Sequence, residues 1–269
     1  MASHGPDDVT AFERETWNRC AQNYQETFVP LTNEAAQLLR DAANVKGGTR
    51  VLDIGSGPGN VAAQLAAAGA DVDAVDYSEP MLEVAKKNHP DIRFHFANAE
   101  KLPFDDGTFD AVISSLTVHH LARPAEVFKE VHRVLKPGGI FAWAVWGPEE
   151  EQTGFGVFFG ALLAHAPDLD MSALPFGPLF GVTDRETYEP YVSGAGLTNF
   201  QLDAHKMTWK TDTLDAVLLG MSDWSNLAAF PEELQEKVKA STRENARAFE
   251  KDGKYEFPHS LVVGRATKL

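Results

Sequence analysis

The segment Arg50-Val51-Leu52-Asp53-Ile54-Gly55-Ser56-Gly57-Pro58-Gly59-Asn60-Val61 constrains this chain more than any other. Arg50 to Ile54 reads as a buried strand, and Val61 to Ala68 as a helix ended by Gly69. Three glycines lie between them. A strand that turns through glycines into a helix points backbone N–H groups at one place, a cradle for phosphates and related ligands. The glycines let the backbone turn sharply and approach a ligand closely. The spacing is GxGxG, not the GxGxxG of dinucleotide binders. Asp53 ends the strand, and a carboxylate there favours the ammonium of an amino-acid ligand over a pyrophosphate, directly or through water.

The segments around this one repeat its rhythm. Asp71 to Asp76 reads as a second strand, Met81 to Asn88 as a helix, and Ile92 to Ala97 as a third strand. Phe109 to Ser115 follows as a fourth strand. Pro124 to Leu135 is an amphipathic helix, stopped by Lys136-Pro137-Gly138-Gly139, and Ile140 to Trp146 is a fifth strand. Strands alternating with helices imply an α/β fold, a doubly wound, mostly parallel sheet with helices on both faces. Ahead of it, residues 1–10 are polar and expected to fray, and Ala11 to about Ala43 reads as two helices divided at Pro30. Beyond Gly147, residues 149–182 mix acids, aromatics and glycines without a clear strand. Thr183 to Ala195 reads as helix, Leu197 to Trp209 as strand, residues 212–252 as mostly polar helix, and Phe257 to Ala266 as a closing strand.

Asp76 ends the second strand, 17 positions after Gly59. An acid there is placed to accept hydrogen bonds from two ribose hydroxyls, beyond the C-terminal ends of the strands where such sheets hold ligands. Glycine loops and strand-end aspartates also serve as plain turns; Asp76 at this spacing argues for the ligand. Charge narrows the ligand further. The formal net charge of −15 opposes a nucleic-acid or anionic-membrane partner, since both demand a basic surface. The only cysteine, Cys20, excludes an internal disulfide and disfavours a cysteine-based zinc site. The first residues lack a basic region followed by an apolar run, and no stretch reaches membrane-spanning length, so a cytoplasmic setting is expected.

Val51–Gly59, Val75-Asp76-Tyr77-Ser78 with Met81-Leu82, Asn98-Ala99-Glu100-Lys101-Leu102-Pro103-Phe104, Phe109-Asp110 and Arg133-Val134-Leu135-Lys136-Pro137-Gly138-Gly139 together resemble the class I S-adenosylmethionine-dependent methyltransferases. The likeness is to the small-molecule branch that includes the ubiquinone/menaquinone enzymes, and it runs from about Tyr24 to Val145. It implies a seven-stranded Rossmann-like sheet with a helical cap. Residues 1–46 would be helices covering the cofactor site, 47–148 the cofactor-binding core, 149–182 and 212–254 cap inserts, and 183–211 with 255–269 the remaining core helix and strands.

The resemblance also implies roles. Asp53, Gly55 and Gly57 would hold the methionine moiety of the cofactor S-adenosyl-L-methionine, and Asp76 its ribose. Tyr77 and Met81 would flank the adenine, with Asn98 and Ala99 at its edge. Ser115 would lie near the methionine carboxylate or the sulfonium, and Tyr24 would fold over the cofactor. Ser56, Gly59 and Glu100 complete the candidate cofactor set. Asp usually stands where this chain has Asn98, whose amide oxygen still accepts a hydrogen bond. Trp17 is a further candidate for the cover.

His119 and His120 follow the fourth strand, where the methyl group would point. Either imidazole could take a proton from an acceptor, and either could instead pack against the next helix. Trp146 and the cap aromatics Phe155, Phe158, Phe159, Phe176, Phe180 and Trp224 suggest an apolar or aromatic acceptor, although such side chains also build ordinary core. His165, His205 and His259 show no ligand spacing and the acids form no convincing metal set, so no metal is expected. The charged run over residues 232–252 reads as a solvated helix face. Ser114-Ser115-Leu116-Thr117 stands where amino-directed nucleic-acid enzymes carry Asn/Asp-Pro-Pro-Tyr. The expectation is therefore methyl transfer to O, N or C of a small acceptor, by a monomer or homodimer with no nucleic-acid partner and no membrane insertion. Two rivals are a non-methylating use of the cofactor, such as a cyclisation or rearrangement, and a nicotinamide oxidoreductase.

Overall fold

A computed structural model describes residues 4–170, 174–175 and 182–269. Four helices come first: α1 (Pro6–Cys20), α2 (Tyr24–Thr27), α3 (Val29–Thr32) and α4 (Glu34–Ala42). The core then alternates β1 (Arg50–Ile54), α5 (Asn60–Ala67), β2 (Asp71–Asp76), α6 (Glu79–Asn88), β3 (Arg93–Phe96), β4 (Phe109–Ser115), α7 (Pro124–Val134) and β5 (Leu135–Trp146). Helices α8 (Thr153–His165) and α9 (Arg185–Gly194) lead to β6 (Leu197–Thr211). Then follow α10 (Leu214–Trp224), α11 (Glu232–Ala246), the two-residue β7 (Glu250–Lys251) and β8 (Lys254–Lys268).

The strands form one sheet in the order β3-β2-β1-β4-β5-β8-β6, with β7 paired to the side of β8. Strands β3, β2, β1, β4 and β5 are parallel, and β8 runs antiparallel between β5 and β6. The chain winds outward from β1 through β2 to β3, then returns to β4 on the other side. That reversal opens a crevice between the C-terminal ends of β1 and β4, where ligands of such sheets sit.

Alternation along the strands divides the core. Leu52 and Ile54 of β1 and Phe141, Trp143 and Val145 of β5 pack with α7 and α9, through Phe128, Val131, Tyr188 and Val192. Val51 of β1 and Ala142, Ala144 and Trp146 of β5 face the other way, toward α4, α5 and the helices of the cap. Successive side chains of a strand point to opposite faces. Asp53 therefore lies on the face of Val51, and Trp146 ends β5 on the cap side.

Several expected boundaries move. Residues 6–10 are helical rather than frayed: Pro6 opens α1, and the Gly5 N–H donates to the Asp8 carboxylate at 2.9 Å. The stretch 11–43 holds four helices rather than two, and Pro30 sits in the first turn of α3, where its missing N–H leaves no bond unmade. Lys136–Gly139 do not end a helix before a new strand. Phe109 pairs with Leu135 and Ala111 with Ile140, so these four residues bulge out of β5. Residues 212–252 are not polar throughout. Helix α10 buries Leu214, Val217, Leu218, Met221 and Trp224, and the solvated pattern belongs to α11. Phe176 and Phe180 lie outside the described residues.

Candidate active site

The turn after β1 is built by steric demand. Gly55, Gly57 and Gly59 all have positive φ, which side chains with a Cβ rarely adopt. A Cβ on Gly55 would stand 2.3 Å from the Thr117 side chain, and one on Gly59 would stand 2.6 Å from the Phe94 ring. Gly57 meets nothing within 4 Å and borders open space. The loop is tied to β2, since Val75 C=O accepts from the N–H groups of Gly55 and Ser56 at 2.9 and 3.1 Å. The Thr117 hydroxyl donates to Gly55 C=O at 3.2 Å, joining the turn after β1 to the turn after β4.

Two cavities open around this loop, and a third adjoins them. The largest encloses about 830 Å³, its open mouth included. Gly55, Gly57, Asp76, Tyr77, Met81, Asn98, Ala99, Glu100 and Ser115 line it, together with Tyr24, Trp17 and His120. Asp76 is fixed there by two backbone donors: Gly57 N–H reaches one carboxylate oxygen and Ser78 N–H the other, each at 2.8 Å. Burial nevertheless pushes its carboxyl above the usual range. The amide oxygen of Asn98 accepts from the Glu100 N–H at 2.9 Å, so this side chain caps its own turn. The Glu100 carboxylate pairs with Arg123 at 3.2 Å, and Arg123 reaches Asp7 of α1 at 2.5 Å.

A smaller cavity of about 350 Å³ lies beneath the loop, lined by Asp53, Ser56, Gly57, Asn60, Ser115, Tyr24 and Thr32 among others. Its polar groups are unusual. Both carboxylate oxygens of Asp53, the hydroxyls of Ser56 and Ser115, and the amide oxygen of Asn60 are buried without a hydrogen-bond partner. Buried polar groups are nearly always paired, and in this cavity these are the ones left open. Burial, with a smaller contribution from the charge of Asp76, raises the Asp53 carboxyl to about 7.

The third cavity, about 490 Å³, shares Trp17, Tyr24, Leu116 and His120 with the first. Its other walls are mostly aromatic: Phe28, Trp146, Phe155, Phe159 and Trp224, with Met221 and Thr32. Trp146 stands edge-on to Phe155 with ring centroids 5.1 Å apart, and Phe159 to Trp224 at 5.7 Å. Phe158, one residue before Phe159, is fully buried in the core and lines no described cavity.

The two histidines part company. His120 lines both larger cavities, and its Nδ1 lies 3.0 Å from a Glu13 carboxylate oxygen of α1. His119 is buried behind it, 4.2 Å between ring centroids, with neither nitrogen hydrogen-bonded. Burial and then the neighbouring His120 push it well below its usual range, so it stays neutral. Gly59 also lies off the cavities, since it turns the chain into α5 against Phe94. His259 is buried as well. It accepts from the Gly154 N–H at 3.1 Å and meets the Gln152 amide oxygen at 2.9 Å, a bridge that fixes the start of α8. Among the described residues no three of His, Cys, Asp and Glu gather as metal ligands.

The sequence left Glu13, Thr10, Thr32, Asn60, Leu116 and Thr117 unassigned, although all of them line or border these cavities. Glu13 and Trp17 lie four positions apart on α1, a spacing that puts both on one helix face and was a usable signal. Leu116 and Thr117 carried none, because the turn after β4 is set by its neighbours, with Leu116 at φ +54°.

Residues 52–143 match the family model described as a methyltransferase domain. A curated relative, demethylmenaquinone methyltransferase of Renibacterium salmoninarum, is 38% identical over 138 residues, covering 50% of this chain and 56% of that protein. The YcgJ protein of Bacillus subtilis superposes with a TM-score of 0.58 at 20% identity, covering 87% of this chain and 98% of that one. Phosphoethanolamine N-methyltransferase 2 of Haemonchus contortus, solved with phosphomonomethylethanolamine and S-adenosylhomocysteine, superposes at 0.54 with 21% identity over 87% of this chain and 52% of that one. The chain spans about half the length of the curated relatives it matches.

Proposed function

We propose that this chain, whose residues 52–143 match a methyltransferase domain, moves the methyl group of S-adenosylmethionine to O, N or C of a small apolar or aromatic acceptor. One observation carries the reading. A pocket of buried acceptors and hydroxyls without hydrogen-bond partners around Asp53 opens beside the Asp76 carboxylate, and an aromatic chamber adjoins both.

The residues fit the cofactor. Asp53 would take the ammonium of its amino-acid end, with Ser56, Asn60 and Ser115 on the neighbouring polar atoms. Asp76 would take the ribose hydroxyls, and Tyr77, Met81, Asn98 and Ala99 would enclose the base. Glycine at position 57 leaves the space beside its backbone clear. When bound, the cofactor supplies a methyl group already activated on a sulfonium. The chain's own work is then alignment, water exclusion and proton removal. Trp17, Tyr24, Leu116 and His120 form the shared wall between the two chambers and so bound the position of transfer. The aromatic chamber desolvates and orients an apolar acceptor. Of the two candidate bases, His120 borders that position and His119 does not.

The division into cover (1–46), core (47–148), cap inserts (149–182 and 212–254) and remaining core (183–211 and 255–269) is part of the same reading. It is supported by the cavity walls drawn from α1, α2, α8 and α10. No described helix is long and apolar enough to cross a membrane. A cytoplasmic protein, monomeric or homodimeric and without a nucleic-acid partner, accords with the acidic composition.

The test is incubation with methyl-labelled S-adenosylmethionine and a panel of small hydroxylated, amino and carbon-acid aromatics. Label in one acceptor, lost in Trp146→Ala with cofactor affinity retained, is the expected result. Tight cofactor binding with no transfer across the panel would favour the non-methylating rival.

A further inference from the structure

We propose that Glu13 and His120 form a carboxylate–imidazole dyad that takes the proton from an acidic hydroxyl, so that the acceptor belongs to the phenols and enols. This deepens the reading just given and rests on it.

The geometry is specific. Glu13 is completely buried on α1, and its carboxylate lies 3.0 Å from Nδ1 of His120. Trp17, one turn further along α1, stands edge-on to the same imidazole with centroids 5.0 Å apart. One helix face thus places a carboxylate within 3.0 Å of Nδ1 and fixes the ring plane. A proton on Nδ1, turned toward that carboxylate, would leave the neutral tautomer's lone pair on Nε2, the nitrogen on the far side of the ring. The imidazole itself lines the cofactor chamber and the aromatic chamber at once.

A carboxylate behind an imidazole stabilises the imidazolium that proton transfer creates, which is the part the third member plays in a catalytic triad. Such a device suits an acceptor that must lose a proton to become nucleophilic, and a free amine does not need it. In the step, the acceptor O–H proton passes to Nε2 and the bonding pair stays on oxygen. That oxygen pair forms the new O–CH3 bond while the pair of the broken C–S bond remains on sulfur. Glu13 touches neither reactant and is therefore a positioning residue. The other ionisable groups around His120 are His119 beside it and Tyr24, Tyr77, Asp76 and Glu100 around the shared cavities. Among the described residues, β5, α8 and α10 give the aromatic chamber only Trp146, Phe155, Phe159, Met221 and Trp224, none of them ionisable.

The experiment uses 4-nitrophenol as probe, with S-adenosylhomocysteine bound, and reads the phenolate absorbance band against pH. In the wild type the band should appear at a pH where the free probe is still protonated. Glu13→Gln should return it to the free probe's position while S-adenosylhomocysteine affinity is unchanged, His120→Asn should also abolish the shift, and Glu13→Asp should keep part of it. In methyl transfer, Glu13→Gln should lower kcat by roughly 10–100-fold with little change in KM, within the range of general-base effects. Nitrogen NMR of the unsubstituted protein gives an independent check, with His120 expected as the Nδ1–H tautomer. An unshifted band in the wild type, the opposite tautomer, or failure of the phenol to bind a protein that does bind S-adenosylhomocysteine would overturn the dyad and leave the cofactor reading intact. Failure to bind S-adenosylhomocysteine would overturn the cofactor reading itself.

Discussion

Asp53, one residue before the end of β1, and Asp76, the last residue of β2, sit on neighbouring parallel strands, yet the oxygens of the first have no hydrogen-bond partner and those of the second are held by two backbone N–H groups. The consequence is electrostatic. Burial, and after it the charge of Asp76, raises the Asp53 carboxyl from the ordinary range to about 7.

This pair makes the folded chain less stable as pH rises. Between the ordinary carboxyl range near 4 and about 7, the folded chain keeps a proton on Asp53 that the unfolded chain has lost. Stability from this group is therefore full below that window and declines through it. Asp53→Asn removes the cost. It should leave stability at pH 4 unchanged and raise it at pH 8 by on the order of 2–4 kcal/mol, read from urea unfolding at both pH values. A variant less stable than wild type at pH 8 would contradict this.

Ligand binding should release a proton. An ammonium placed against Asp53 restores its charge, so binding S-adenosylhomocysteine near pH 6.5 should expel a fraction of a proton. Calorimetry in buffers of different ionisation enthalpy measures it. The buffer dependence should vanish in Asp53→Asn, along with most of the affinity.

The glycines of the loop should fail in different ways. Gly55→Ala sets a Cβ 2.3 Å from Thr117 and forces the turns after β1 and β4 apart, a loss of about 1–3 kcal/mol in stability. Gly57→Ala meets nothing and carries only the cost of its left-handed backbone, about 1–2 kcal/mol. Its methyl group borders both cavities beside the loop, so the affinity for S-adenosylhomocysteine should fall more than its stability predicts. Thermal unfolding and ligand titration of the two variants separate these effects.

Phe158 and Phe159 should divide stability from specificity. Phe158→Ala empties a fully buried site and should cost about 3–5 kcal/mol with the cofactor affinity intact. Phe159→Ala removes a half-buried chamber wall, and should cost less stability while raising KM for an aromatic acceptor.

The half of the candidate site built on the glycine loop and the strand ends was legible in the sequence because it depends on local chemistry. Gly55 and Gly57 mark a backbone that only glycine follows easily, and Asp53, Asp76, Asn98 and Ser115 sit at strand ends set by apolar periodicity. Strands β2 and β4 fell where that periodicity put them. What stayed hidden depends on contacts between distant segments. Glu13 gains its role only when α1 lies across the turn after β4, and two adjacent histidines look alike until packing sends His119 into the core and His120 to the cavity. Helix α10 appeared polar because its apolar face was averaged with the charged α11 that follows. The bulge at Lys136–Gly139 was concealed by Pro137 and two glycines, which serve a helix stop and a strand bulge equally well.

The central claim is that these cavities hold S-adenosylmethionine through Asp53 and Asp76. Calorimetric titration of the purified chain with S-adenosylhomocysteine, and separately with NAD, tests it most directly. The account predicts saturable binding of S-adenosylhomocysteine at one site per chain, lost in Asp76→Ala, and no heat with NAD. Equal binding of NAD, or no binding of S-adenosylhomocysteine by folded protein, would contradict it.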